Sequence, residues 1–434
     1  MLIVLIFVIL SIVLLLCGIP LFVSFGIAGM GMIIFLELGT DFAIPCMFSN
    51  LDSTIFMAIP FFIFAGGLMT AGGISERIFG FAQSIIGHIK GGLGVVTVVS
   101  SAIFGAISGS SAAGVSAIGM IAIPQMEKFG YKKSYATALV ACSGILGQLI
   151  PPSIPMILFG MITATSVAGC FLAAFIPGLL IVVLYSIINF IYIRKRPEVK
   201  VPPRLSPKET IKDIGRSTWK SAFALFMPVV VLGGIYGGIF TPTEAGCAAV
   251  VYAVIIGFLI YRQMTFKTFM YAAQETASIE GAITLILCFV FVLSRIFNYL
   301  ALPETVATAM LSLSENRIII LLLINAFMIL QGMIMDDISC MLITAPLLYP
   351  LFMELGISPL QMAAILAVNQ GSGQLTPPVA TNLFVAARVA RIPVSDFVKD
   401  VLPFFFFGSI PAMFMVTFIP QLSLWLPELI MGHI

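Results

Sequence analysis

Two proline pairs give this sequence its clearest chemical signal. Pro151-Pro152 and Pro377-Pro378 lie in long apolar stretches, and each follows a Gly-Gln-Leu tripeptide by one residue. Proline cannot donate the helical hydrogen bond and clashes with the preceding turn, so each pair predicts a break in a helix. Unwound backbone inside a membrane exposes carbonyl oxygens and helix ends that can bind ions. A kink that only serves packing is the alternative, and two equivalent breaks favour a binding site.

Two short polar segments are the predicted partners of these breaks. Ser108-Gly109-Ser110-Ser111 joins apolar stretches shorter than the roughly 20 residues of a span, which predicts a re-entrant hairpin over about 92–126. Asp336-Asp337-Ile338-Ser339 is at the tip of a second hairpin over about 317–353. Their oxygen atoms are ligands that a hard monovalent cation prefers. The alternatives are helix packing at the first tip and solvated loop residues at the second.

The two halves of the chain form an internal repeat. A shift of 226 residues aligns Gly147–Pro152 with Gly373–Pro378 at five of six positions, and it also places Pro124 on Pro350. The predicted first repeat is 1–193, with a broken helix over about 134–162, and a basic connector covers 194–220. The second repeat is 221–434, with a broken helix over about 361–388.

The distribution of charge predicts opposite orientations for the two repeats. Lys128, Lys132 and Lys133 follow the first hairpin, whereas only Glu354 follows the second. By the positive-inside rule the first hairpin and the basic connector face the cytoplasm, and the second hairpin faces outward. Five crossings per half, an odd number, are consistent with this inversion.

The composition is that of an integral membrane protein. Of the 434 residues, 60% are hydrophobic and 9% are charged, whereas soluble chains are about a quarter charged. A net charge of +2 argues against nucleic acid binding. No glycine is followed by lysine, which excludes a Walker ATP-binding motif. Two histidines and scattered cysteines make a metal enzyme improbable, and sparse carboxylates favour sodium over protons as a coupling ion.

Further motifs resemble those of one transporter family. Ile59-Pro60-Phe61-Phe62, Gly66-Gly67-Leu68-Met69 and Gly91-Gly92-Leu93 precede the first tip, and Gly238-Ile239-Phe240-Thr241-Pro242-Thr243-Glu244-Ala245 opens the second half. Together with the tips and the Pro-Pro breaks, they resemble the large permease subunit of tripartite ATP-independent periplasmic (TRAP) transporters. The resemblance covers nearly the whole chain.

The resemblance implies an all-α integral membrane protein with two inverted-topology repeats, each with a re-entrant hairpin and a broken transmembrane helix, working as an elevator. It implies sodium-coupled import of a small organic acid anion across the inner membrane of a bacterium or archaeon. Such subunits are transporters and not enzymes, and they use no organic cofactor. Their partners are a small membrane subunit (DctQ-type) and a periplasmic substrate-binding protein (DctP-type).

Carried onto this sequence, the resemblance places one sodium site between each hairpin tip and the break of the same repeat. The residues assigned to sodium are Ser108, Gly109, Ser110, Ser111, Ser143, Gly144, Gly147, Pro151, Asp336, Asp337, Ser339, Asn369, Gly373, Thr376 and Pro377. Those assigned to the substrate are Ser108, Ser110, Gln148, Pro152, Ser153, Gln370, Gln374 and Pro378. Many family members carry an acidic residue after the first tip, where Ala112-Ala113-Gly114 stands here.

Two other functions are consistent with parts of this pattern. A stand-alone sodium-coupled di- or tricarboxylate carrier of the divalent-anion class shares the inverted hairpin plan but needs no binding protein. A scaffold that anchors other membrane proteins would gain nothing from two broken helices. The sequence does not identify the organic acid, because C4-dicarboxylates, sialic acid and other sugar or keto acids are all carried by the family.

Overall fold

The first half of the chain consists of helices and short connections. The computed structural model describes residues 2–201, 207–313 and 316–432; residues 202–206 of the predicted connector lie outside this part. The helices of the first half are α1 Leu2–Leu16, α2 Leu21–Phe35, α3 Ala43–Leu51, α4 Ala58–Ala71, α5 Ile74–Ile86, α6 Gly92–Ser108, α7 Ser111–Lys128, α8 Lys133–Ser143, α9 Leu146–Leu149, α10 Ile154–Thr163 and α11 Val167–Arg194.

The second half is built in the same way, and no β-strand occurs in the described parts of either half. Its helices are α12 Pro207–Tyr236, α13 Pro242–Ile255, α14 Phe266–Tyr299, α15 Leu302–Leu313, α16 Arg317–Gly332, α17 Asp337–Glu354, α18 Pro359–Gly373, α19 Thr381–Ala390, α20 Val394–Phe404, α21 Ile410–Phe418 and α22 Gln421–Met431. π-helical turns cover Ile256–Ile260 and Phe405–Ser409.

The two halves match around the hairpins and breaks, except that the short α9 has no separate counterpart and its equivalent positions fall at the end of α18 and in the second break. Helices α7 and α17 have 18 residues each, and both ends of α17 are 226 positions after those of α7. The same shift relates the first residue of α8 to the first residue of α18. The equivalent halves therefore place their hairpins and broken helices at corresponding positions.

The helices have the length and composition of a multi-pass membrane protein. Among the described residues, seven helices or helix combinations are long and apolar enough to cross a membrane, and the bent pair α4 and α5 gives an eighth. Shorter apolar helices include α2 and most of α1. Large apolar side chains such as Phe407 and Leu259 are exposed, as expected of a surface that faces lipid. The prediction of an all-α membrane protein is confirmed.

Hairpins and broken helices pack on one another in a central unit, although one side of α16 is exposed. Helix α7 packs on α8 and α19, α16 packs on α18, and α10 packs on α17. Every residue of α18 from Leu360 to Gly373 is buried. The remaining helices pack outside this unit, with α13 against α4 and α12 against α5.

Helix α5 is amphipathic rather than apolar on all sides. It follows α4 after a bend of 71° at Gly72-Gly73. Ile74, Ile78 and Phe79 are buried while Glu76 is exposed, which is the pattern of an amphipathic helix. A search for long apolar runs misses such a helix because only one of its faces is apolar.

Two of the family-like motifs serve the fold. Thr241 begins α13 with a capping box: the Glu244 amide donates to Thr241 Oγ1 (3.3 Å), and the Thr241 amide donates to Glu244 Oε2 (2.8 Å). A side chain added at Gly246 would come within 2.9 Å of Phe61 Cβ, so glycine permits close contact of α13 with α4. These motif residues build the outer helices and lie outside the tips and breaks.

Candidate functional site

The first break lies directly against the first hairpin tip. The helical segment ends at Leu149 and resumes at Ile154, with Pro151-Pro152 between. The Ile154 amide, which has no helical acceptor after the break, donates to the carbonyl of tip residue Gly109 at 3.2 Å. Gly109 makes the turn with φ of +61°, a conformation that glycine adopts without strain.

The second break repeats this arrangement with the second tip. Helix α18 ends at Gly373, and α19 begins at Thr381. The amides of Val379 and Ala380 both donate to the carbonyl of Met333 at 3.1 Å. In each half, a hairpin carbonyl at the tip or just before it therefore satisfies amides at or just before the start of the helix that follows the break.

Glycine permits the close approach of tip and break in both halves. A Cβ at Gly147 would lie 2.5 Å from the Ser110 carbonyl oxygen, and one at Gly373 would lie 2.7 Å from Gly332 Cα. These partners are backbone atoms, which cannot move aside as a flexible side chain can. Gly147 and Gly373, equivalent in the repeat, are thus steric requirements of the site.

The two tips also contact each other. Ser111 Oγ donates to Asp337 Oδ2 at 3.2 Å. The Ile338 amide donates to the other carboxylate oxygen at 3.1 Å. The two re-entrant hairpins consequently meet at their tips, where a serine of the first half bonds to a carboxylate of the second.

The two breaks are joined by contacts between opposite halves. Gln148 Nε2 donates to the Ala367 carbonyl at 3.0 Å. A Cβ at Gly371 would lie 1.9 Å from that same Nε2, so the amide occupies the space that the glycine leaves. A Cβ at Gly144 would come within 3.1 Å of Asn382 Nδ2. The breaks and tips together form one continuous polar cluster.

Buried polar atoms without a protein partner concentrate in this cluster. Each atom lacks a hydrogen-bond partner among the described residues, and leaving such a group unsatisfied costs about 1–3 kcal/mol. A bound ion or polar ligand would satisfy these atoms. The residues concerned are Ser108, Gln148, Asn369, Gln370, Gln374, Thr376 and Asn382.

The two adjacent aspartates have different environments. Asp336 caps α17 and accepts from the amides of Ile338 (3.2 Å) and Ser339 (3.4 Å). Asp337 turns toward Ser111 of the other half. The described part of the chain places no lysine, arginine or histidine nitrogen within ion-pair distance of either carboxylate. Asp337 is therefore the carboxylate that faces the junction of the tips, with no basic partner there to balance its charge.

Several of the proposed hydroxyl ligands donate their protons within their own segments. Ser143 Oγ donates to the Leu139 carbonyl at 2.7 Å, and Ser153 Oγ donates to the Gln148 carbonyl at 2.6 Å. Ser339 Oγ donates to Asp336. Ser110 caps α7 by accepting from the Ala113 amide at 3.5 Å. The oxygens of donating hydroxyls keep lone pairs that can contact a cation.

The two breaks differ in exposure. Pro151 and Pro152 are buried, whereas Pro377 and Pro378 are exposed, and Thr376 is partly buried. The second break is thus open at the surface of the molecule while its equivalent is closed. Both Pro-Pro peptide bonds are cis.

Asn382 belongs to the cluster but is absent from the residues proposed from sequence. It lies in the first turn of α19, fully buried, with neither amide atom bonded to a described residue. Its equivalent in the first half, 226 positions earlier, is Met156. The repeat therefore gives no signal at this position, and only the approach to Gly144 places Asn382 in the site.

An amide network supports the second break from behind. Asn369 Nδ2 donates to Asn325 Oδ1 of α16 at 3.1 Å and to the Ile365 carbonyl at 2.8 Å. Asn325 Nδ2 donates in turn to Thr417 Oγ1 at 3.2 Å. Asn369 Oδ1 has no partner in the described part of the chain, so its oxygen is available to a ligand.

Comparison with known proteins identifies the same family as the motifs. The family described as "Tripartite ATP-independent periplasmic transporter, DctM component" matches residues 8–422. The chain is 35% identical to the sialic acid TRAP transporter large permease protein SiaM of Vibrio cholerae, over 91% of each chain. It is 35% identical to the C4-dicarboxylate TRAP transporter large permease protein DctM of Pseudomonas aeruginosa, over 88% of each.

A longer relative and a solved structure extend the comparison. The isethionate TRAP transporter permease protein DctMQ of Oleidesulfovibrio alaskensis is 34% identical over 94% of this chain, which spans 64% of that relative's length. The crystal structure of the Alcanivorax borkumensis YdaH transporter superposes with a TM-score of 0.62 and 17% identity, covering 90% of each chain. At that identity the likeness supports the fold alone.

Proposed function

The chain belongs to the DctM family of TRAP transporter large permeases, and on that premise we propose that it imports a small organic acid anion by sodium coupling. It is a multi-pass membrane protein of a family that carries organic acids. The coupling ion, the elevator movement and the inner-membrane location belong to the proposal.

One observation carries the sodium assignment. The Asp337 carboxylate lies at the junction of two hairpin tips beside Ser111, with no basic partner in the described residues. A carboxylate at membrane depth is costly unless a charge or water compensates it. The oxygens brought together here are the Ser111 hydroxyl and the carboxylates of Asp337 and the neighbouring Asp336, which suit Na⁺ rather than a transition metal.

The substrate is proposed to bind between the breaks. Gln148, Gln370, Gln374 and Asn382 supply buried amide atoms without partners in the described part of the chain. An amide N–H can donate to a substrate carboxylate, and an amide oxygen can accept from a substrate hydroxyl. Sodium at the tips would offset the negative charge of the anion and so make its binding depend on the ion.

The mobile unit of the proposed elevator consists of the two hairpins and the two broken helices. These elements pack on one another, and carbonyls of the hairpins accept hydrogen bonds from amides that follow the breaks. Movement as one body would carry tips, breaks, ion and substrate together. The outer helices would then serve as the scaffold.

Partners follow from the relatives. One relative is named TRAP transporter permease protein DctMQ, and this chain spans 64% of its length. We propose a separate small membrane subunit and a periplasmic binding protein that delivers the substrate.

The test is uptake of labelled organic acids into cells without carriers of their own. The chain is expressed with and without its candidate small subunit and binding protein, in sodium and in potassium buffer. Uptake that needs both partners and sodium is expected. Sodium-driven uptake by this chain alone would instead favour a stand-alone carrier.

A further inference from the structure

A groove separate from the candidate transport site lies between α5 and α12. Its volume is about 620 Å³, and none of its lining residues belongs to a hairpin tip or a break. We call it the α5–α12 groove. The residues that define it are Arg77, Gly80, Trp219, Lys220, Ile260 and Tyr261.

The basic wall of the groove is held in place by several contacts. The Arg77 guanidinium lies 3.7 Å from the centre of the Tyr261 ring, and Arg77 Nη1 donates to the Gly73 carbonyl (2.6 Å) and to Gln263 Oε1 (3.0 Å). Tyr261 Oη donates to the Lys220 carbonyl at 3.0 Å. These contacts fix a positive charge at the groove before any ligand enters.

The other wall is apolar and open. Trp219 is 81% exposed, Phe223 is 42% exposed and Ile260 is 41% exposed. Exposed tryptophan beside basic residues is typical of the boundary between lipid and water. The groove thus combines an anion-binding wall with an apolar track.

The position of α12 indicates which membrane face the groove meets. The helix begins in the basic connector, with Lys208, Lys212 and Arg216 in its first turns. By the positive-inside rule this end of α12 is cytoplasmic. The cytoplasmic leaflet carries anionic lipids, whose charge is complementary to Arg77 and Lys220.

We propose that the α5–α12 groove binds an anionic phospholipid of the cytoplasmic leaflet, with its phosphate between Arg77 and Lys220 and an acyl chain along Phe223 and Ile260. The expected preference over a zwitterionic lipid is about fivefold per basic side chain, which corresponds to ~1 kcal/mol of attraction. Glu76 also lines the groove and opposes this preference.

Tryptophan fluorescence gives a local measurement. The chain has two tryptophans, so Trp425→Phe leaves Trp219 as its only reporter. The protein, purified with its small subunit, is placed in nanodiscs that contain a minor fraction of brominated phosphatidylglycerol or brominated phosphatidylcholine. A second complex, in which the large subunit also carries Trp219→Phe, contains tryptophan only in the small subunit. Its fluorescence is subtracted from that of the first complex. Stronger quenching by phosphatidylglycerol is expected.

Matched variants separate a defined site from diffuse attraction. Lys220→Gln is expected to remove most of the preference, and Glu76→Gln to increase it. Gly80→Leu fills the groove, because nothing lies within 4 Å of an added Cβ there, and it is expected to reduce quenching by both lipids. The control variants Lys212→Gln and Gly233→Leu make the same two kinds of substitution at positions of α12 outside the groove. They are expected to leave the quenching unchanged.

Three results would overturn the proposal. Equal quenching by the two lipids would show that the groove does not select an anionic headgroup. Relief of quenching by inorganic phosphate would assign the basic wall to a soluble anion. Weak quenching by both lipids that becomes strong in a second sample prepared without the small subunit would assign the groove to that protein.

Discussion

Ser111 and Asp337 are joined by a hydrogen bond of 3.2 Å and are 226 positions apart, which is the shift that relates the two Gly-Gln-Leu motifs. Equivalent residues of the two halves therefore bond to each other. In a two-fold arrangement this occurs only near the axis. Equivalent positions of the two halves thus meet at the junction of the tips, where we propose that one ion contacts both halves.

Asp337→Asn tests whether the carboxylate at this junction binds the coupling ion. The amide keeps the shape of the side chain but removes the charge. We expect the sodium concentration for half-maximal uptake to rise at least about tenfold, the ratio equivalent to ~1.4 kcal/mol. Ser111→Ala is expected to have a smaller effect. The control is Asp396→Asn, an exposed acidic residue in the first turn of α20; equal effects of Asp337→Asn and this control would refute the assignment.

Gly147→Ala tests the close contact of tip and break. The added Cβ would lie 2.5 Å from a backbone oxygen, and such overpacking costs about 1–3 kcal/mol. A lower melting temperature and loss of uptake are expected, measured by a thermal shift assay and by transport. Gly114→Ala is the control, since nothing lies within 4 Å of its added Cβ. A wild-type melting temperature for Gly147→Ala would contradict the contact.

Asn382→Leu separates ligand binding from stability. Both amide atoms of Asn382 lack partners in the described part of the chain, so its replacement should leave the melting temperature unchanged or higher while uptake is lost. Asn189 provides the contrast. Its Oδ1 accepts from Tyr135 Oη (3.0 Å) and its Nδ2 donates to the Gly91 carbonyl (2.8 Å), so Asn189→Leu should lower stability. Normal uptake by Asn382→Leu would remove this residue from the site.

A cross-link between α4 and the first tip tests the elevator. A Cβ at Gly66 would lie 3.0 Å from Ser108 Cβ, shorter than the roughly 3.5–4.5 Å that separates these atoms in a disulfide, so a small outward shift of α4 would allow the bond. In a background without the seven native cysteines, the reduced Gly66→Cys/Ser108→Cys variant is expected to keep only part of the uptake, because Ser108 is itself a proposed ligand, and oxidation is expected to stop the uptake that remains.

The control cross-link lies inside the proposed mobile unit. A Cβ at Gly119 of α7 would lie 3.3 Å from Val389 Cγ1 of α19. Oxidised Gly119→Cys/Val389→Cys should therefore remain active. Transport by the oxidised α4–tip variant would be incompatible with sliding of the tip past α4.

The sequence predicts features that the repeat duplicates. The Pro-Pro breaks and the hairpin tips recur at a shift of 226 residues, so each was visible twice. Contacts between the two halves produce no such repeated pattern in the sequence. The approach of Asn382 to Gly144 joins residues 238 positions apart, and the equivalent of Asn382 is a methionine.

Two adjacent residues of the same type can be assigned different roles only from the structure. Asp336 and Asp337 are equal in the sequence as candidate sodium ligands. In the fold, Asp336 caps α17 whereas Asp337 reaches the other hairpin. Which aspartate takes which role depends on the direction in which α17 begins. The pattern of residue types does not contain that direction.

The central claim is that the junction of the tips couples transport to sodium. The most direct measurement is accumulation of the identified substrate in proteoliposomes with an inward sodium gradient, while the proton gradient is dissipated. Accumulation that follows the sodium gradient is expected in the wild type and is expected to be lost in Asp337→Asn. Accumulation driven by a proton gradient in potassium buffer, without sodium, would contradict it.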